Sequence, residues 1–145
     1  MNPDITPVVH FAQEQPSGLA SMLGELITQN LARDPGRLAL LVPATSAIEA
    51  RDAGIAVTIE LSPSVISLVE GTSSASTVRI RAASSDLLAL VSAPLRFGLP
   101  DVLRPDGRSM VAKLVRGQVR VRGLLRHPRQ VARLTMLLSV RADPR

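Results

Sequence analysis

Apolar and polar residues alternate along three short runs in the middle of the chain, IAVTIEL at 55–61, SVISLVEG at 64–71 and STVRIRA at 76–82. Successive side chains of a strand point to opposite faces, so a period of two predicts half-buried strands. Ile55, Val57 and Ile59 then share one face, and Thr58 and Glu60 the other. The facing of the second run, around Val65 to Val69, stays ambiguous. Val78 and Ile80 oppose Arg79 and Arg81, and further on Val119 and Val121 oppose Arg120 and Arg122. A weaker alternation over 46–51 adds one strand before these, giving five. Asp52-Ala53-Gly54, Ser62-Pro63-Ser64 and the polar stretch 71–76 supply the turns between the first four.

Elsewhere the apolar period is helical. Leu19, Met22, Leu23, Leu26, Ile27 and Leu31 form a stripe behind a cap at Ser17, and Asp34-Pro35-Gly36 stops it. A short helical piece over 37–41 can follow. Ser84 or Ser85 caps a second helix, with Asp86 in its first turn and Leu87, Leu88, Leu90 and Val91 on its apolar face. Pro94 closes it, and prolines punctuate the chain from there to Gly107, with Phe97, Leu99, Val102 and Leu103 between the breaks. Ser109 is expected to cap a third helix carrying Met110, Val111, Leu114 and Val115, ended by Gly117. His127 and Pro128 fit an N-cap and first position for a last helix, which turns Val131, Leu134, Leu137 and Leu138 inward and Arg129 and Arg133 outward.

The expected architecture is α+β: a single, mostly antiparallel five-stranded sheet with helices packed on one face. Residues 1–16, with three prolines and little periodicity, are expected to form an N-terminal arm, and 17–145 a single domain. No internal repeat or long linker divides the chain.

Composition narrows the function classes. The chain has no Cys, which excludes disulfides and thiolate metal sites, and two His make a zinc site improbable. Phe11 and Phe97 are the only aromatics, so stacking platforms for single-stranded nucleic acid are lacking and the core is aliphatic. No run approaches the roughly 20 apolar residues of a membrane span. The start MNPDITPVV lacks the basic and apolar stretches of a secretory signal, so a cytoplasmic location is the expectation. Charge is uneven: residues 1–103 hold 6 basic and 10 acidic side chains, net −4, and residues 104–145 hold 11 and 2, net +9. The basic half either forms a solvated surface or meets an anionic partner.

The order of elements resembles the sterol carrier protein type 2 family of lipid-binding domains. DAGIAVTIEL is similar to that family's turn into its second strand, and STVRIRAASSDLLALVSAP to its strand, cap and "D-L-L-x-L" helix. LVRGQVRVRGLL is similar to its strand between two glycines, here Gly117 and Gly123. The likeness covers residues 37–138. Leu124 stands where the family often has an acidic residue, and Arg126-His127-Pro128 before the last helix is unusual for it. The resemblance implies a hydrophobic tunnel between sheet and helices for fatty acid, acyl-CoA or sterol-like lipid, without choosing among them.

Residues for chemistry are few. No G-x-S-x-G elbow, Walker loop or dinucleotide fingerprint occurs. His127, an Asp at 101 or 106, and Ser109 can be drawn as a triad, but helix capping accounts for His127 and Ser109 without catalysis. No catalytic residue, cofactor or metal is therefore expected, and the chain is not expected to be an enzyme. The apolar side chains of the later helices are the better lead. Leu87, Leu88, Val91, Phe97, Leu99, Val102, Leu103, Met110, Leu114, Leu134, Leu137 and Leu138 are the candidate ligand lining, with ordinary core as the alternative for each. Non-enzymatic binding or transfer of a hydrophobic small molecule is the expected function. The alternative is an interaction module with a filled core, dimeric through the Leu19–Leu31 stripe. Arg79, Arg81, Arg120 and Arg122 would share the open sheet face if their strands are neighbours. There they either pair with Glu49 and Glu60 or meet an anionic membrane surface, a phosphate-bearing headgroup or, least expected, nucleic acid.

Overall fold

The computed structural model describes residues 7–92, 95–96, 99–100 and 103–140, the two short pairs by backbone alone. In chain order the strands are β1 (Val8–Phe11), β2 (Ala44–Ala50), β3 (Ile55–Leu61), β4 (Val65–Glu70), β5 (Val78–Ala82), β6 (Leu95–Arg96), β7 (Leu99–Pro100) and β8 (Val119–Arg122). The helices are α1 (Gly18–Arg33), α2 (Ser84–Ser92), α3 (Pro105–Val115) and α4 (Pro128–Leu138), with a 3-10 helix over Pro35–Leu40. Every alternating run is a strand of one sheet, in the order β1-β4-β3-β2-β5-β8, and β6 and β7 pair separately.

The sheet corrects the expected one in two respects. It has six strands, and it is mixed: β1–β4 and β2–β5 are parallel pairs. The sixth strand, β1, comes from the segment expected to be an arm. It is only four residues long, and Val8 stays 62% exposed on the side away from the core. Both faces of that short run carry an apolar residue, so it shows no alternation. The parallel pairs follow from the connections. Parallel neighbours need a long crossover. Helix α1 and the 3-10 helix carry the chain away from β1, and the β3–β4 hairpin intervenes between β2 and β5.

Register decides which residues form the core. Ile48 lies between Val57 and Ile80, Leu68 opposes Ile59, and Ile80 opposes Val121. These side chains join Leu23, Ile27, Leu90, Met110, Leu134 and Leu137 in one aliphatic core, so all four helices pack on the same sheet face. Leu23 and Ile27 are fully buried there, which uses the stripe considered above for a dimer within the chain's own fold.

Helix α1 is seated most closely. Ser17 caps it by accepting from the Ala20 N–H, and Glu70 accepts from the Ser17 N–H at 2.6 Å. At Gly24 a Cβ would stand 2.5 Å from the tip of the Phe11 ring and 2.9 Å from a Leu68 methyl, so the helix backbone rests directly on β1 and β4. At the far end Asn30, 2% exposed, donates to the Leu137 carbonyl at 2.9 Å. Arg37 donates to the carbonyls of Met136 and Ser139 at 2.9 and 2.7 Å. Those carbonyls end α4 and lack intrahelical partners, so the α1 region caps a helix about a hundred residues away.

Two caps, those of α3 and α2, differ from expectation. Helix α3 begins at Pro105 rather than Ser109, because a proline at the first position pre-sets the helical φ and Asp106 suits the first turn. His127 does occupy the N-cap of α4 before Pro128, without a side-chain cap bond. The cap of α2 is described with the cleft below. The glycines around β8 have positive φ, 74° at Gly117 and 87° at Gly123, and at Gly123 a Cβ would collide with the Thr77 carbonyl. That gives the strand-between-glycines motif its physical reason.

Two stability predictions follow from this packing. Gly24→Ala lowers the urea-unfolding free energy by about 1–3 kcal/mol, and Gly123→Ala by more, since rigid backbone rather than a ring tip meets the new methyl. Asn30→Leu leaves the Leu137 carbonyl unpaired and lowers it by about 1–3 kcal/mol. Midpoints at unchanged m-values would show that packing and not the unfolded state is responsible; wild-type midpoints would refute both.

Candidate ligand cleft

Helix α1 buries Ala20, Leu23, Gly24, Ile27 and Asn30. Leu19 and Met22 lie on its flank and are only partly covered. Across from them, α2 turns Leu87, Leu90 and Val91 inward. Between the two helices, over the end of β2 and the start of β3, an apolar cleft of about 170 Å³ remains. Its walls are Gly18, Leu19 and Met22 from α1, and Ser84, Leu87 and Leu88 from α2. Its floor is Ala50, Ala53 and Ile55. A narrower space of about 20 Å³ adjoins it, sharing Leu19, Met22 and Leu87 and reaching down to Ile48, Ile80, Val91 and Leu138. An apolar cavity of ~150 Å³ takes up benzene. The outer cleft is thus large enough for a ring-sized or short-chain group, and the inner space takes little more than a water-sized one.

The small residues on the floor make the space. Ala50 faces the helices where neighbouring rows carry Ile48 or Ile80, so the sheet surface drops at that corner. The turn after β2 then holds the rim. The Ser84 N–H and Oγ both donate to one Asp52 carboxylate oxygen at 2.8 Å. The cap of α2 therefore comes from the β2–β3 turn, and Ser84 donates instead of accepting. These two bonds hold the Asp52 carboxyl below its ordinary value of 3.8. Lys113 ties α3 to α2 through Asp86 at 2.6 Å.

The structure separates the expected lining into groups. Leu87, Leu88, Val91 and Leu138 border these two spaces. Leu88 does so while 51% exposed, at the mouth rather than in the interior. Met110 and Leu137 are plain core, and Leu114 packs against it. Leu134 is core too, and touches a separate space of about 60 Å³ bounded by Ser46 and Gln130. Leu103 is 69% exposed and joins none of these. Leu99 is in β7, described by backbone alone, and Phe97 and Val102 lie outside the described residues. The outer cleft is thus walled by α1 as well as by the expected α2, and α4 reaches only the inner space, through Thr135 and Leu138. Leu19 and Met22 were legible as part of a helical stripe, but their position on its flank was the only hint of a cavity. Ala50, Ala53 and Ile55 gave none.

Comparison with protein-family models finds no match, and comparison with curated proteins finds none either. Comparison with solved structures does. A structure described as "UbiJ-SCP2 Ubiquinone synthesis protein" superposes with a TM-score of 0.56 at 15% identity, over 83% of this chain and 96% of that one. The chain folds as an SCP2-like domain. None of the described helices is long and apolar enough to cross a membrane.

The Asp52–Ser84 bonds predict a pH dependence. A carboxyl whose folded pKa is depressed adds stability that is present above its unfolded pKa and lost as pH falls through the folded one. The stability difference between wild type and Asp52→Ala is expected at neutral pH and shrinks once pH drops below the ordinary 3.8. Urea midpoints of both proteins across that range would show it, and a difference independent of pH would refute the charge's part in it.

Proposed function

We propose that this SCP2-like domain binds an apolar, chain-like lipid without catalysing its conversion, and that the ligand lies in the cleft between α1 and α2. One observation supports this above others: apolar space beside Leu19, Met22 and Leu87 that the protein's own side chains leave open. The polar side chains on the walls, Ser84 and Thr135, direct their hydroxyls to Asp52 and to the Val131 carbonyl. Such walls bind by removing methylenes from water, about 0.8 kcal/mol each. Five or so methylenes bring about 4 kcal/mol, which corresponds to roughly millimolar affinity. Tighter binding needs the rest of a chain to run along the exposed mouth at Leu88. A cleft of about 170 Å³ favours a chain over a rigid sterol. That the similar structure is of a ubiquinone synthesis protein supports a lipid-related role.

Organic extraction of the purified protein and titration with a fluorescent fatty acid test this directly. Leu88→Arg puts a charge at the mouth of the cleft while sparing the core. It is expected to weaken fatty-acid binding about tenfold or more, the loss of about 1.4 kcal/mol of apolar contact, with Tm unchanged. Protein that carries no lipid and ignores the probe would favour the interaction module instead, and a wild-type affinity in Leu88→Arg would move the ligand elsewhere.

A further inference from the structure

The helices cover one sheet face, and the other carries an arrangement that the lipid cleft does not use. β5 and β8 are neighbours, with Arg79 directly opposite Arg122 and Arg81 directly opposite Arg120. All four point away from the core side chains Ile80 and Val121. Like charges directly opposite on neighbouring strands repel, so the fold carries two unfavourable pairs side by side. One counter-charge is at hand: Glu49, across from Arg81 on β2, pairs with it at 3.4 Å. Glu60 lies further along, opposite Thr45 and Ser67, away from the arginines. Four guanidinium groups and one carboxylate leave three positive charges in excess, and β8 is the last strand of the sheet.

From this we infer that β8 and the arginine face beside it form a docking surface for an acidic polypeptide segment of a partner protein. An extended segment adds to a free strand edge through main-chain hydrogen bonds. Its alternate side chains then fall on the arginine face, about 7 Å apart, which is the spacing of Arg120 and Arg122 along β8. Carboxylates at those positions would stand opposite the two arginines as Glu49 stands opposite Arg81. The guanidinium fork takes a carboxylate in bidentate fashion. A bilayer fits less well, because the arginine face itself carries no apolar side chain and lies across the sheet from the cleft, while Val115 and Leu125 stand exposed beyond the two ends of β8. A single strand of RNA would meet no aromatic side chain on β5 or β8.

A labelled dodecapeptide of alternating Thr and Glu, followed by fluorescence anisotropy at about 50 mM and about 300 mM salt, is the test. Wild type is expected to bind it and to lose affinity at the higher salt. Arg120→Gln with Arg122→Gln should weaken binding about tenfold or more. Arg120→Lys with Arg122→Lys, which keeps charge and fold but loses the fork, should weaken it by about threefold or more. Arg108→Gln with Arg129→Gln removes the same charge from α3 and α4 in the helix layer and should change it less than about twofold. No binding at the lower salt, equal losses in the two Gln pairs, or wild-type affinity in the Lys pair would overturn the inference. So would tighter binding to phosphatidylglycerol vesicles or to an RNA oligonucleotide that the Arg120 and Arg122 changes abolish.

Discussion

The seating of α1 on the sheet fixes one side of the helical layer and, through it, α4. At Gly24 its backbone meets Phe11 and Leu68 with no room for a methyl group. Glu70 fixes its start through the Ser17 N–H, and Asn30 fixes its last turns to α4. Because the anchors sit at both ends and the middle, the helix cannot slide or roll toward α2. α4 in turn is held by the carbonyls that Asn30 and Arg37 satisfy. An unpaired buried carbonyl costs more than a typical hydrogen bond contributes, so these polar contacts fix position more than they add stability.

The cleft is a consequence of that geometry. α2 takes its place from a different source, the Asp52 carboxylate in the β2–β3 turn and the Lys113 link to α3. Two helices positioned independently over the same sheet corner, where Ala50 and Ala53 replace larger residues, leave space between them. Interiors are otherwise close-packed, and Met110, Leu134 and Leu137 are buried as such an interior requires. The opening therefore reflects how α1 and α2 are tethered, and general apolarity of the later helices does not produce it.

Much of the fold was legible in the chain. Period-two alternation marked five of the six strands and assigned the facing of Val78, Ile80, Val119 and Val121 correctly. The pairs of β5 and β8, with their four arginines on one face, follow from it. β1 escaped because Val8, Val9, His10 and Phe11 show no clean alternation in so short an edge strand. The mixed topology escaped because strand direction depends on crossovers, which local patterns do not encode. For the cleft, Leu87, Leu88 and Val91 were legible as apolar positions of one helix. Its other wall and floor depend on which flank of α1 faces α2 and on small residues at one sheet corner. Both are set by tertiary anchoring at Gly24 and Asp52.

The most direct test is to locate a bound chain by isotope-filtered NMR, with lauric acid added to the methyl-labelled protein. The account predicts intermolecular contacts from the acyl chain to the methyl groups of Leu19, Met22 and Leu87. Contacts confined to Leu134 and Leu137, or none at saturating fatty acid, would contradict it.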